Sequence, residues 1–171
     1  MLVLKRRDVY MPDISDIIEA GKAAPLFTLR GIDESGEERG FSLKGFKGKK
    51  VVLYFYPKDN TPGCTTEACD FRDNMARLLK TGAVVLGVSP DSVKSHAGFR
   101  EKHSLSFPLL SDPDKEVALA YGAYGEKKMY GKTSMGIIRS TFLIDERGKV
   151  EKAWRAVKVK GHVDEVLAAI G

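Results

Sequence analysis

Cysteine is scarce in this chain of 171 residues, which contains only Cys64 and Cys69. Small secreted folds that are held together by disulfides carry several cysteine pairs, so that class is excluded. The two cysteines lie five positions apart, and the Cys-x-x-Cys spacing of thioredoxin-type exchange is absent. Two cysteines this close together, with no others in the chain, indicate a chemical role.

Histidine is nearly as scarce, with His96, His103 and His162 far along the chain from the cysteines. A structural zinc site combines a short cysteine knuckle with two further cysteine or histidine ligands, usually from a second paired motif. The cysteine spacing here is at the upper edge of such a knuckle, and no second motif follows. We therefore expect neither a metal ion nor an organic cofactor.

Long apolar runs are absent, and none approaches the roughly 18 residues that a membrane-spanning helix needs. The N-terminus also lacks the ordered regions of a secretory signal, so a cytoplasmic protein is predicted. Lysine and arginine exceed aspartate and glutamate by 28 to 23, but the basic residues are scattered and not interleaved with aromatics. This pattern is typical of solvated surface, and we expect neither nucleic acid nor membrane as a partner.

Dense structural signals begin at residue 24, so we predict a leader over residues 1–23 and one domain over residues 24–171. Ile14, Ile17 and Ile18 suggest a short helix in the leader that ends at Gly21, and the sequence leaves the role of the leader open. The continuous apolar run 51–56 predicts a strand buried on both faces, and residues 83–88 predict a second one. Further elements are a hairpin over 27–43, helices over 64–79, 91–103, 112–121 and 163–170, and strands over 107–110, 137–144 and up to Trp154.

The order of these elements is β, α, β, α, followed by a hairpin and a final helix. Parallel pairing early in the chain and antiparallel pairing late predict a mixed central β-sheet flanked by helices on both faces. The predicted fold class is therefore α/β, with a thioredoxin-like architecture.

The segment YPKDNTPGCTTEAC places Cys64 where a loop becomes a helix. Free backbone N–H groups and the helix dipole at this position favour a thiolate over a thiol. Thr61 can direct its hydroxyl at the sulfur or at an incoming oxygen, and Pro57 and Pro62 stiffen the loop. Packing of a small buried cysteine is the alternative, and for Cys69 taken alone it is the better interpretation.

Within an intact helix, a spacing of five residues separates two Cα atoms by roughly 8.7 Å. A disulfide requires no more than about 7 Å. The two cysteines therefore either never bond, or the helix unwinds when they do. We predict the second, with this segment helical in the reduced protein and locally unfolded in the oxidised one.

The pattern Pro57-x-x-x-Thr61-x-x-Cys64 resembles the active site of the peroxiredoxins, and KDNTPGCTTEACDFRD is similar to their bacterioferritin comigratory protein (peroxiredoxin Q) branch. The resemblance extends over residues 24–171. It implies a thiol-dependent peroxidase for hydrogen peroxide and organic hydroperoxides, in which Cys64 becomes a sulfenic acid and Cys69 closes an intramolecular disulfide onto it. A thioredoxin or a similar dithiol would then reduce this disulfide.

The same resemblance assigns Arg139 to the site as a fixed positive charge, and Glu67 as the carboxylate beside it. Without it, Arg139 could equally be a surface arginine at a sheet edge, and Glu67 an ordinary carboxylate in a first helical turn. His96 is expected on the surface and Trp154 in the core, both without chemistry.

A non-enzymatic redox sensor is the second hypothesis, because unwinding around Cys64 could expose a surface for a partner. It uses the same cysteines but requires no multiple turnover. Since an intramolecular disulfide needs no second chain, we expect a monomer, with a weak homodimer as the alternative.

Overall fold

The strands of this chain form one seven-stranded mixed sheet and a separate two-stranded hairpin. The computed structural model describes residues 18–171, apart from the side chain of Met129. The helix expected around Ile14, Ile17 and Ile18 lies mostly outside the described residues, and residues 18–21, which are described, are not helical. The strands of the large sheet are β1 (Thr28–Ile32), β2 (Glu38–Ser42), β3 (Val51–Phe55), β4 (Val84–Ser89), β5 (Leu109–Ser111), β8 (Ser140–Ile144) and β9 (Val150–Trp154).

The strand order is β2-β1-β5-β4-β3-β8-β9, which places β3 and β4 at the centre. The pairs β3–β4 and β4–β5 are parallel, whereas β1–β2, β1–β5, β3–β8 and β8–β9 are antiparallel. All five residues of β3 are buried, as expected of a strand covered on both faces. Successive side chains of β3 pack alternately into two separate apolar cores, so Leu53 lies in one core and Tyr54 in the other.

Helices cover both faces of the sheet, as the sequence predicts: α1 (Pro62–Asp73), α2 (Met75–Lys80), α3 (Val93–His103), α4 (Glu116–Ala120) and α5 (His162–Ile170). Buried residues of α4 join the core around Leu53, and buried residues of the other four helices join the core around Tyr54. The end of α1 is tied to the end of α3, because Arg72 Nη1 donates to the carbonyl oxygen of His103 at 2.7 Å.

The single helix predicted over residues 64–79 is wrong in one respect, since it is broken into α1 and α2 at Asn74. Asn74 leaves helical geometry with φ −104° and ψ 9°, and its side-chain amide donates to the Asp70 carbonyl oxygen at 2.8 Å. Asparagine favours such local side-chain bonds over continued helix. The helix also begins two residues earlier than predicted, at Pro62.

The hairpin of β6 (Tyr124–Met129) and β7 (Lys132–Ile137) is absent from the sequence prediction. Tyr130 and Gly131 turn it with positive φ values of 52° and 76°, and its strands pair antiparallel from Tyr124 opposite Ile137 to Met129 opposite Lys132. Its exposed and half-buried side chains lack the alternation that would mark two strands. The hairpin ends at Ile137, two residues before Arg139, and therefore determines where Arg139 lies.

Candidate active site

The loop between β3 and α1 lies beside the carboxyl end of β4, where the Tyr56 N–H donates to the Val88 carbonyl oxygen at 3.0 Å. Pro57 follows and ends the strand. Thr61 is the N-cap of α1, with extended φ and ψ of −88° and 152°, and Pro62 is its first helical residue. Proline suits this position, because the N–H that it lacks would have no helical acceptor.

Cys64 is the third residue of α1, and its side chain is buried. The first residues of a helix have backbone N–H groups without an acceptor one turn earlier. Together with the positive end of the helix dipole, these groups stabilise negative charge on the Cys64 sulfur. The location predicted for Cys64 from the sequence is the one that the structure shows.

Arg139 reaches Cys64 from 75 positions along the chain, with Nη2 at 3.3 Å from Sγ. Antiparallel pairing of β8 with β3 places Ser140 opposite Phe55, so Arg139 arrives where β3 gives way to the loop. Gly63 leaves room for the guanidinium, because a Cβ atom at that position would lie 3.2 Å from Nη2.

Glu67 holds the other side of the same guanidinium, with Oε1 accepting from Arg139 Nη1 at 2.6 Å. Its side chain is fully buried one turn after Cys64. Burial raises the pKa of Glu67 to about 7, although Arg139 opposes this shift. Burial disfavours the charge on Arg139, but Glu67 and Cys64 outweigh it and raise the pKa of the guanidinium above its ordinary value.

We expect the pH dependence of stability to report on Glu67. Its pKa is raised to about 7 in the folded protein from 4.5, so the stability that it contributes is complete below 4.5 and is lost as pH rises through 7. A Glu67→Gln variant keeps an acceptor for Arg139 without the titration. Between about pH 5 and pH 8, the urea unfolding free energy should fall more in the wild type, by as much as about 3 kcal/mol. Equal changes in the two proteins would contradict the assignment.

Thr61 directs its hydroxyl proton away from the sulfur, since Oγ1 donates to the Lys58 carbonyl oxygen at 2.8 Å. The sequence predicted that this hydroxyl is directed at the sulfur or at an incoming oxygen, but its proton is used for Lys58. With its proton engaged, the Thr61 oxygen can only accept a hydrogen bond, for example from the O–H of a hydroperoxide.

Cys69 lies on the same continuous helix as Cys64, and both thiols are free. Two Cα atoms at this spacing on a helix are roughly 8.7 Å apart, farther than a disulfide allows. In this structure α1 therefore holds the two cysteines too far apart to bond.

Three residues that the sequence prediction left out also belong to this region. Lys127 on β6 is half-buried. Burial and Arg139 lower its pKa below the ordinary value, although Cys64 opposes this shift. Asp59 is a buried carboxylate in the loop itself. The prediction of a surface position for His96 is wrong, because its side chain is fully buried and contacts Asp59. Trp154 is partly buried against the core, close to the expectation.

A groove of about 430 Å³ opens between the loop and the hairpin. Pro57, Met135 and Ile137 give it apolar walls, and Lys58 and Lys127 add positive charge. Among the described residues, no group of three or more potential ligands could hold a metal ion, and no helix is long and apolar enough to cross a membrane.

Comparison with known proteins identifies the chain. The AhpC/TSA family pattern matches residues 20–153. The chain is a peroxiredoxin of the AhpC/TSA family. This peroxiredoxin is 53% identical over 153 residues to a putative peroxiredoxin bcp of Coxiella burnetii, covering 90% of this chain and 99% of the relative. It is 52% identical to peroxiredoxin Bcp of Bacillus subtilis, covering 90% and 95%.

Solved structures agree with these relatives. Peroxiredoxin Q of Xanthomonas campestris superposes with a TM-score of 0.76 at 48% identity, covering 83% of this chain and 89% of that one. A structure of the same similarity comes from work on the alkyl peroxide reduction activity of Xanthomonas campestris bacterioferritin comigratory protein. The resemblance to this branch, the thioredoxin-like fold and the assignment as a thiol peroxidase are thereby confirmed for this peroxiredoxin.

Proposed function

We propose that Cys64 is the residue that reduces the peroxide, and that Arg139 and Glu67 form its electrostatic environment. The observation that carries this is the 3.3 Å contact of Arg139 Nη2 with Cys64 Sγ at the start of α1. A guanidinium and free helix N–H groups both stabilise a thiolate, which is the nucleophilic form of cysteine. Glu67 orients the guanidinium by binding its other nitrogen.

In the first step the Cys64 thiolate attacks the terminal oxygen of a hydroperoxide. The S–O bond forms as the O–O bond breaks, and the leaving alkoxide or hydroxide takes a proton to become an alcohol or water. Negative charge moves from sulfur to the leaving oxygen, and Arg139 can stabilise both ends of that movement. Thr61 accepts a hydrogen bond from the O–H of the incoming hydroperoxide. Pro57 stiffens the loop that holds Thr61 in place. The product is a sulfenic acid on Cys64.

In the second step the Cys69 sulfur attacks the sulfenic acid. An S–S bond forms and water leaves, so the two electrons given to the peroxide come from the pair of cysteines. The helical spacing requires α1 to unwind before this step. A thioredoxin-like dithiol then reduces the disulfide by thiol exchange and returns both cysteines to the thiol state.

We propose that the substrates include organic hydroperoxides as well as hydrogen peroxide. The groove beside Pro57 has apolar walls from Met135 and Ile137, which suit an alkyl chain. The relative from Xanthomonas campestris is described with alkyl peroxide reduction activity, which supports the same substrate class.

The experiment that tests the function is a peroxidase assay coupled to NADPH through thioredoxin and its reductase, run with hydrogen peroxide and with an alkyl hydroperoxide. An enzyme consumes many equivalents of NADPH per chain with either substrate. A redox sensor, the second candidate, consumes about one equivalent and stops. That outcome would overturn the proposal, although the cysteines would still react.

The intramolecular pairing of Cys64 with Cys69 needs no second chain, and we infer a monomer that acts in the cytoplasm as one domain over residues 24–171. Residues 1–23 carry no part of the proposed chemistry.

A further inference from the structure

Asp59 is a buried carboxylate in the loop between Pro57 and Thr61 that the proposed chemistry does not use. Its two oxygens accept hydrogen bonds from Tyr56 Oη at 2.6 Å and Ser95 Oγ at 2.8 Å. His96 Nδ1 lies 2.8 Å from the same oxygen that Ser95 contacts.

His96 is a second partner of Asp59 from outside the loop, next to Ser95 in the first turn of α3. Its Nε2 lies 2.9 Å from the Leu110 carbonyl oxygen, which can only accept, so Nε2 carries a proton. Nδ1 faces Asp59, whose other two contacts are hydroxyl donors. The contact between Nδ1 and Asp59 joins two side chains that are both buried.

The backbone of the loop is fixed at the same place. The Asp59 N–H donates to Asp91 Oδ2 at 2.8 Å, and the next residue, Asn60, has a positive φ of 62°. A left-handed conformation at a residue other than glycine is held only when its surroundings determine it. Two positions after Asp59, Thr61 caps the helix that carries Cys64.

We propose that His96 is a positioning residue of this peroxidase: through Asp59 it holds the loop that places Thr61 and the first turn of α1 around the Cys64 sulfur. The inference rests on the proposed function of Cys64. His96 does not touch the sulfur, so its effect passes through Asp59 and the backbone of residues 59–61. A displacement of about 1 Å at a reacting group can reduce a rate by about 10²-fold.

Two substitutions of His96 separate positioning from packing. Asparagine places its amide nitrogen near the position of Nδ1 and can still donate to Asp59, but it loses Leu110. Glutamine places its amide nitrogen near Nε2 and can still donate to the Leu110 carbonyl oxygen, but it leaves Asp59 without this partner. Each variant replaces a buried imidazole by an amide and loses one hydrogen bond.

The experiment measures the second-order rate of Cys64 oxidation by hydrogen peroxide in stopped flow, with the thermal midpoint measured alongside. We expect His96→Gln to react about 10- to 100-fold more slowly than the wild type, and His96→Asn to remain within about threefold. Reduction of the oxidised proteins by dithiothreitol should stay unchanged in both variants, because that step does not need the positioned loop.

Equal rates in the two variants, or rate losses that follow the thermal midpoints, would overturn the proposal. If neither variant folds, Ser95→Ala takes their place, since Ser95 is half-buried and donates to the same Asp59 oxygen. A rate lowered about three- to tenfold in this variant supports the proposal, and an unchanged rate contradicts it. A wild type that fails to react with peroxide would instead refute the proposed function.

Discussion

A Cys64→Ser variant is expected to reduce no peroxide above the rate of a blank without protein. A serine hydroxyl is far less acidic than a thiol and stays protonated at this position, so neither Arg139 nor the helix N-terminus can convert it into a nucleophile. The measurement is the coupled NADPH assay with hydrogen peroxide and an alkyl hydroperoxide. The fold should be retained, because serine is close to cysteine in size.

The matched control is Cys69→Ser, which leaves the nucleophile and its surroundings intact. It is expected to consume one equivalent of peroxide per chain and then stop, with a sulfenic acid on Cys64 that dimedone traps and mass spectrometry detects. Undiminished turnover of Cys64→Ser would show that the nucleophile lies elsewhere. Undiminished turnover of Cys69→Ser with thioredoxin would remove Cys69 from the proposed second step.

Oxidation with one equivalent of peroxide is expected to lower amide hydrogen-exchange protection over residues 64–72 of α1. In the structure, where both cysteines are free, this segment is a helix whose amides bond to carbonyl oxygens one turn earlier, as Thr65 N does to Thr61 O at 2.8 Å. Because the disulfide cannot form across an intact helix, those bonds must break in the oxidised protein. Protection of residues 64–72 should fall by about 10²-fold or more.

The internal reference is β3 (Val51–Phe55), whose amides should exchange equally slowly in both redox states. Cys69→Ser treated with peroxide serves as the control for sulfenic acid formation without a disulfide, and it should keep the protection of α1. Matching protection of residues 64–72 in the reduced and oxidised wild type would refute the unwinding step.

The sequence was sufficient for the centre of the fold, because residues 51–56 form a continuous apolar run and only a strand covered on both faces buries every side chain. The position of Cys64 at the start of a helix could also be predicted, since a proline-rich loop runs directly into it. Both signals are local, and each is contained within about ten residues.

Where the prediction failed, the cause was distant in the chain or weak in pattern. His96 looked like a surface residue because its partner, Asp59, lies 37 positions earlier. The spacing of three between His96 and the buried Phe99 was the available signal, since residues three apart share a helix face. The β6–β7 hairpin escaped because its side chains are mostly polar and its turn begins with a tyrosine in left-handed geometry.

Helix α3 (Val93–His103) contacts both ends of the segment that is proposed to unwind. His96 binds Asp59 just before that segment, and the carbonyl oxygen of His103 binds Arg72 near its end. These two points on α3 are seven residues, or roughly 10 Å, apart along one rigid rod. The chain between Asp59 and Arg72 can therefore lose its helix while its two ends stay in place. After the disulfide is reduced, only this short segment has to refold, and its ends are already held at the correct distance.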